Sequence, residues 1–176
     1  MQIHIDRYPT AQDWARCKAL ALNTIGKKYA GSKITPEWKL KILRAEHSPI
    51  RTLMFTIRME DIPYYVSTHF RTHHVGAEHY VQSQRNDRQD NYDRRAARQD
   101  APVTHIMDLN AQALMNIAHK RLCQEADPAT QEVMREIVRK VEVVAPEIAS
   151  MLTPSCEYYG GFCHELFSSC EYAPKD

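Results

Sequence analysis

The chain has 176 residues, enough for one compact domain with a real hydrophobic core and too few for two comfortable ones. Its 23 Lys and Arg against 22 Asp and Glu leave a net charge of +1, so no global field draws it to nucleic acid or to a membrane surface. No stretch approaches the ~20 apolar residues that cross a bilayer, the start Met1–Asp6 lacks the regions of a signal peptide, and five cysteines in such a chain argue for reduced thiols, so the sequence reads as cytoplasmic.

In chain order, Gln2–Asp6 alternates like a short strand, and Thr10 is placed to cap a helix carrying Trp14, Cys17, Leu20, Ala21 and Ile25 that ends near Gly26. Thr35-Pro36 opens a second helix with Trp38, Ile42 and Leu43 on its apolar face, broken by His47-Ser48-Pro49. Thr52–Met59 reads as a half-buried strand. Asp61-Ile62-Pro63 then reads as the cap and first turn of a helix through Tyr65, Val66, His69 and Phe70. From Gly76 an extended run leads to Arg85, bringing His73 and Arg85 toward one region. Asn86–Asp100, dense in Arg, Asp, Gln and Asn, is expected as a solvated loop or exposed helix. Two helices follow, Leu109–Ala126 and one opened by Asp127-Pro128 with Val133, Met134, Ile137, Val138, Val141 and Val144. Pro146 and Pro154 bracket a last short helical piece.

The chemistry concentrates between His73 and Arg121. A guanidinium holds phosphate through two parallel hydrogen bonds, which lysine cannot do, and Arg85, Arg98 and Arg121 are the candidates by context. Asn110 and Arg121 share one side of a predicted helix, and Leu114 and Ile117 between them form an apolar strip that could lie under a flat ring. Gln112 and Asn116, one turn apart on the opposite side, are amides suited to ribose hydroxyls or a heterocycle edge.

Three features together resemble the flavin-dependent thymidylate synthases, the ThyX family. Ser83 and Arg85 are similar to the serine and arginine that close the family's arginine-histidine-arginine motif. Arg98 with Pro102 resembles its arginine four residues before a proline. Asn110, Asn116 and Arg121 match its helix N-x-R-x-x-x-N-x-x-x-x-R, with Gln112 where the family usually has arginine. The arginine-histidine-arginine segment itself falls on His73-His74-Val75 or on Thr72-His73-His74 depending on the anchor, with Arg71 placed to take over one role. The family's histidine before the central strand falls on Thr52, with His47 nearby, and the segment between Arg85 and Arg98 is shorter than usual. The likeness covers about Ser48–Gln131.

The resemblance implies an α+β fold with a central antiparallel or mixed sheet flanked by helices, in a single domain over residues 1–176 with a cysteine-containing tail from about residue 153. It implies a homotetramer with FAD held between subunits, and transfer of a one-carbon group to C5 of dUMP. Methylenetetrahydrofolate would be the carbon donor, reduced flavin the hydride source and NADPH the reductant. On this likeness Arg71, His73, Gln82, Ser83, Gln84, Arg85, Arg98 and Arg121 bind the pyrimidine nucleotide, with Arg121 and Ser83 as the catalytic candidates. His73, His74, Asn110, Gln112 and Asn116 face FAD. The cofactor would carry the hard step, the protein orienting and polarising, and no general-base dyad is visible in the sequence.

Nine histidines are many, and His69, His73, His74 and His79 fall close together; lining a cofactor pocket is the economical reading of them. Cys156, Cys163 and Cys170 are evenly spaced with His164 beside the middle one, a candidate zinc set that Cys123 could complete, against reduced thiols in an ordered tail. Two other readings stay open: a flavoenzyme acting on another pyrimidine nucleotide, and a non-catalytic nucleic-acid-binding or zinc-stabilised module. The aspartates interspersed among the arginines of residues 85–98 weaken the attraction to phosphate that the module would need.

Overall fold

The computed structural model describes residues 1–88, 93–163, 165 and 170. Four strands, β1 (Gln2–Arg7), β2 (Met54–Pro63), β3 (Ala77–Val81) and β4 (Pro102–Asn110), make one sheet in the order β1-β2-β4-β3, antiparallel at every pairing. Period-two alternation sorts its two faces. Phe55, Ile57 and Met59 on β2 and Val103, Met107 and Leu109 on β4 are buried on one face, with Phe55 opposite Leu109 and Ile57 opposite Met107. Thr56, Arg58 and Glu60 on β2 and Thr104 and Asp108 on β4 occupy the other, where Thr56 donates to Asp108 across 2.6 Å and Arg58 pairs with Asp6 at 2.9 Å.

Helices α1 (Ala11–Asn23) and α2 (Pro36–Arg44) start where the sequence places them, because Thr10 and Thr35 each accept a backbone N–H of the first turn with the side-chain oxygen. Ile25, expected on the apolar face of α1, lies beyond its end and is 63% exposed. A 3-10 turn at Ser48–Thr52 leads into β2.

Strand β2 runs further than its alternation implies. Asp61 does not cap a helix: it sits at φ 55 in a bulge that shifts the register, after which Ile62 pairs with Val103 and Pro63 with Pro102. Helix α3 (Tyr64–Arg71) then begins at once, and its first N–H groups donate to Gln99 and Ala101, the segment entering β4, in place of a side-chain cap.

Strand β4 departs from expectation, since the sequence pattern gives no strand over Pro102–Asn110 and puts Asn110 inside a helix. The alternation is present, but His105 occupies an inward position and interrupts its apolar pattern. Asn110 is the last strand residue and also the N-cap of α4 (Ala111–Arg121), its Oδ1 accepting the N–H of Ala113 at 2.9 Å. Leu114 and Ile117, expected as a strip under a ligand ring, are fully buried in the core, so that side of α4 is packed against protein. Helix α5 (Pro128–Val144), capped by Asp127, buries Val133, Met134, Ile137 and Val141 against it. After Pro146 comes a short α6 (Pro146–Ala149), and after Pro154 a separate α7 (Ser155–Tyr158).

Candidate functional site

Ala77, His79 and Val81 share one face of β3, and Tyr64 and Arg71 approach that face from α3. Where β3 stops, Gln82 extends the ladder: its side-chain Oε1 accepts from Thr104 N at 3.2 Å while its backbone N–H donates to Thr104 O at 2.8 Å. The chain then turns through Ser83, Gln84 and Arg85. These residues and Arg94 enclose one cleft of about 350 Å³.

Five of the residues expected to bind a nucleotide, Arg71, Gln82, Ser83, Gln84 and Arg85, therefore come together. Arg94, His79 and Tyr64 join them. Arg85 is braced by Asp87 at 2.6 and 2.8 Å, and Asn86 accepts the backbone N–H of Arg94 at 3.1 Å. Ser83 Oγ accepts the N–H of Arg85 at 3.3 Å. Gln84 Nε2 is buried with no hydrogen-bond partner, a donor whose unmet bond is costly unless a ligand supplies an acceptor. Arg98 stands apart, paired with Asp100 at 2.8 and 2.9 Å with its side chain 81% exposed.

Behind the cleft lies a chain of imidazoles. His79 Nε2 is 2.8 Å from the carbonyl oxygen of His73, which can only accept, so this nitrogen carries a proton. A neutral His79 then accepts at Nδ1 from His105 Nε2 across 3.0 Å, which leaves His105 Nδ1 as a bare lone pair, buried without a partner. Burial first, then His79 and Arg71, push His105 down to about 3. Nearby, Arg121 Nε donates to His73 Nε2 at 3.0 Å, so that nitrogen is unprotonated. Burial first, then Arg121, bring His73 down to about 4. Arg121 also donates from Nη2 to His69 O at 2.8 Å and Thr72 Oγ1 at 2.9 Å, satisfying acceptors at the C-terminal end of α3. His69 turns away and bonds Thr130 Oγ1 at 2.7 Å.

The residues expected to face a flavin lie elsewhere. Gln112 is buried and donates to Glu46 Oε2 at 2.8 Å and to Asn116 Oδ1 at 3.2 Å, and Tyr158 donates to Glu46 Oε1 at 3.0 Å. Burial first, then this carboxylate, push Tyr158 up to about 12. Asn110 is occupied as a cap. Asn116 and His74 stay exposed. Gly76, in the turn after His74, sits at φ 75, and a Cβ there would lie 2.5 Å from Asn110 Nδ2, so both the conformation and the close approach call for glycine.

At the other end of α4, Cys123, Cys156, Cys163 and Cys170 line a second cleft, and His164 lies outside the described residues.

Arg94 and Glu46 were missed as candidates by sequence reasoning, whereas His79, expected with its neighbours to line a cofactor pocket, lines the cleft that holds Arg71 and Arg94. His79 carries a usable signal, two residues from Ala77 and Val81 on one strand face. Arg94 carries none that separates it from the other charged residues around it.

No protein-family sequence profile matches the chain, and no curated protein sequence does. Solved structures do. Thymidylate synthase X (ThyX) from Helicobacter pylori, determined with FAD and dUMP, superposes with a TM-score of 0.66 at 11% identity, over 86% of this chain and 97% of that one. A second structure of the flavin-dependent ThyX from Helicobacter pylori, complexed with FAD and dUMP, gives 0.67 at 12% identity over 87% and 100%. The UMP/dUMP methylase PolB from Streptomyces cacaoi, bound with 5-Br dUMP, gives 0.66 at 11% identity over 85% and 93%. The chain thus has the fold of the flavin-dependent thymidylate synthases.

Proposed function

We propose that the chain is a flavin-dependent enzyme transferring a one-carbon group to C5 of a pyrimidine nucleotide, dUMP to dTMP in its simplest form. The observation that carries this reading is the cleft lined by Arg71, Arg94 and the Asp87-paired Arg85 together with Gln84, whose buried Nε2 has no partner. Guanidinium forks fit a phosphate dianion, and the amide donor fits a pyrimidine carbonyl. A volume of about 350 Å³ is at the small end of ligand pockets, which suits a mononucleotide better than a dinucleotide.

FAD therefore belongs beside the cleft rather than inside it. Asn116 and His74 would meet it across subunits of a homotetramer, with Gln112 and Glu46 fixing the orientation of Asn116. When bound, reduced flavin supplies hydride, with NADPH as reductant and methylenetetrahydrofolate as carbon donor. The protein's own part is to anchor the phosphate and orient the base, with Ser83 beside the nucleotide. Arg121 and the neutral His73 fix the turn that carries His74. A cytoplasmic setting belongs to the same reading.

A second reading, action on a different pyrimidine nucleotide, gains support from PolB, a fold neighbour described as accepting both UMP and dUMP. Thermal unfolding with dUMP, UMP and CMP, with and without FAD, tests both, because a ligand bound only to the folded chain raises its midpoint. Protection by dUMP that deepens with FAD, together with a flavin absorption spectrum, is the expected result. Absence of protection by all three nucleotides at millimolar concentration would remove the proposal.

A further inference from the structure

We propose that Cys123, Cys156, Cys163 and Cys170 form a tetrathiolate zinc site that fastens the C-terminal segment to the end of α4. Three separate stretches of chain deliver these thiols to one cleft of about 430 Å³: the residues just after α4, the helix α7, and the segment after Gly161. The geometry that assembles them is local. Gly160 and Gly161, at φ 77 and 95, reverse the chain, and the N–H of Gly161 donates back to Cys156 O at 2.6 Å, which returns Cys163 over α7 to a buried position. Lys120 of α4 pairs with Glu165 at 2.5 Å, and Cys170 Sγ lies 3.7 Å from Oε1 of Gln124, just after α4.

Four sulfur ligands select a soft, tetrahedral ion, and a set of four cysteines is one that structural zinc takes. With every position filled by thiolate, such a site is closed and structural. Among the described residues no three such ligands stand close enough to hold an ion as they lie, so binding would have to bring the thiols that line the cleft together. The role is independent of the nucleotide cleft and needs neither flavin nor substrate to be observed.

The test is metal content of the full chain after reconstitution with zinc under reducing conditions and desalting. About one zinc per chain is expected, released by a mercurial and retained by Cys17→Ser, whose thiol lies in α1. Cys123→Ser and Cys163→Ser should each lose most of it. Cobalt(II) in the unmodified chain should show thiolate-to-cobalt charge transfer, which requires no variant to fold; Cys170→Ser gives a second, half-buried position to compare. A wild-type chain that retains no zinc, a cobalt form without charge transfer, or full zinc in Cys123→Ser would each overturn the assignment.

Discussion

The Nε of Arg121 donates to Nε2 of His73 across 3.0 Å, joining the last residue of α4 to the turn that follows α3. The same guanidinium holds His69 O and Thr72 Oγ1, so a single planar fork organises three acceptors from one stretch of chain. Arg121→Lys supplies only a point charge and cannot reproduce the fork. We expect it to lower the unfolding free energy by roughly 1–3 kcal/mol, read from urea midpoints. An unchanged midpoint would mean that these bonds contribute nothing net.

Stability should fall on acidification. His73 and His105 are held neutral, at about 4 and about 3, and both take up protons below about 6.5 once unfolded. The unfolded chain binds more protons in that window, so their contribution is complete above 6.5 and is lost as pH falls toward 4 and then 3. For the fully buried His105 this amounts to about 2 kcal/mol at most between pH 6.5 and 5. His105→Gln, which cannot titrate, should show a shallower pH dependence of its urea midpoint; an identical slope would exclude His105 as the source.

Gly76→Ala should be costly. At φ 75 any side chain is strained, and the new Cβ would meet Asn110 Nδ2 at 2.5 Å, beside the cap of α4. A loss of roughly 1–3 kcal/mol is expected in chemical unfolding. Asn110→Ala removes the clash along with the cap. The double variant should therefore be less unstable than the sum of the two singles, and strict additivity would show that the close approach is harmless.

In the cleft, Arg94→Ala and Arg71→Ala are expected to weaken dUMP binding about tenfold or more, the scale of one charge-assisted contact. Arg98→Ala should leave affinity unchanged, since its guanidinium already pairs with Asp100 at the surface. Calorimetric titration distinguishes the positions, and equal losses at Arg94 and Arg98 would argue for a diffuse electrostatic effect rather than a built site.

What was legible from residues alone follows the range of the forces involved. Thr10, Thr35 and Asp127 announce helix starts because a capping oxygen acts on a backbone three residues away, and all three do so in the structure. Strand β4 was hidden because His105 belongs to an apolar face only by virtue of its bond to His79, far away in sequence. The helical wheel of α4 correctly grouped Leu114 with Ile117, yet periodicity does not say whether a stripe meets a ligand or the core. Gln82 to Arg85 stood out by likeness to a known motif. Arg94 did not, because its place in the cleft depends on contacts such as the bond from its N–H to Asn86 Oδ1, which composition does not announce.

The direct passage from β4 into α4 at Asn110, with no connecting residue, has a mechanical consequence. Sheet and helix behave there as one stiff lever, since the same side chain terminates one element and initiates the other. The bond between His105 on β4 and His79 ties the back of the cleft to that lever.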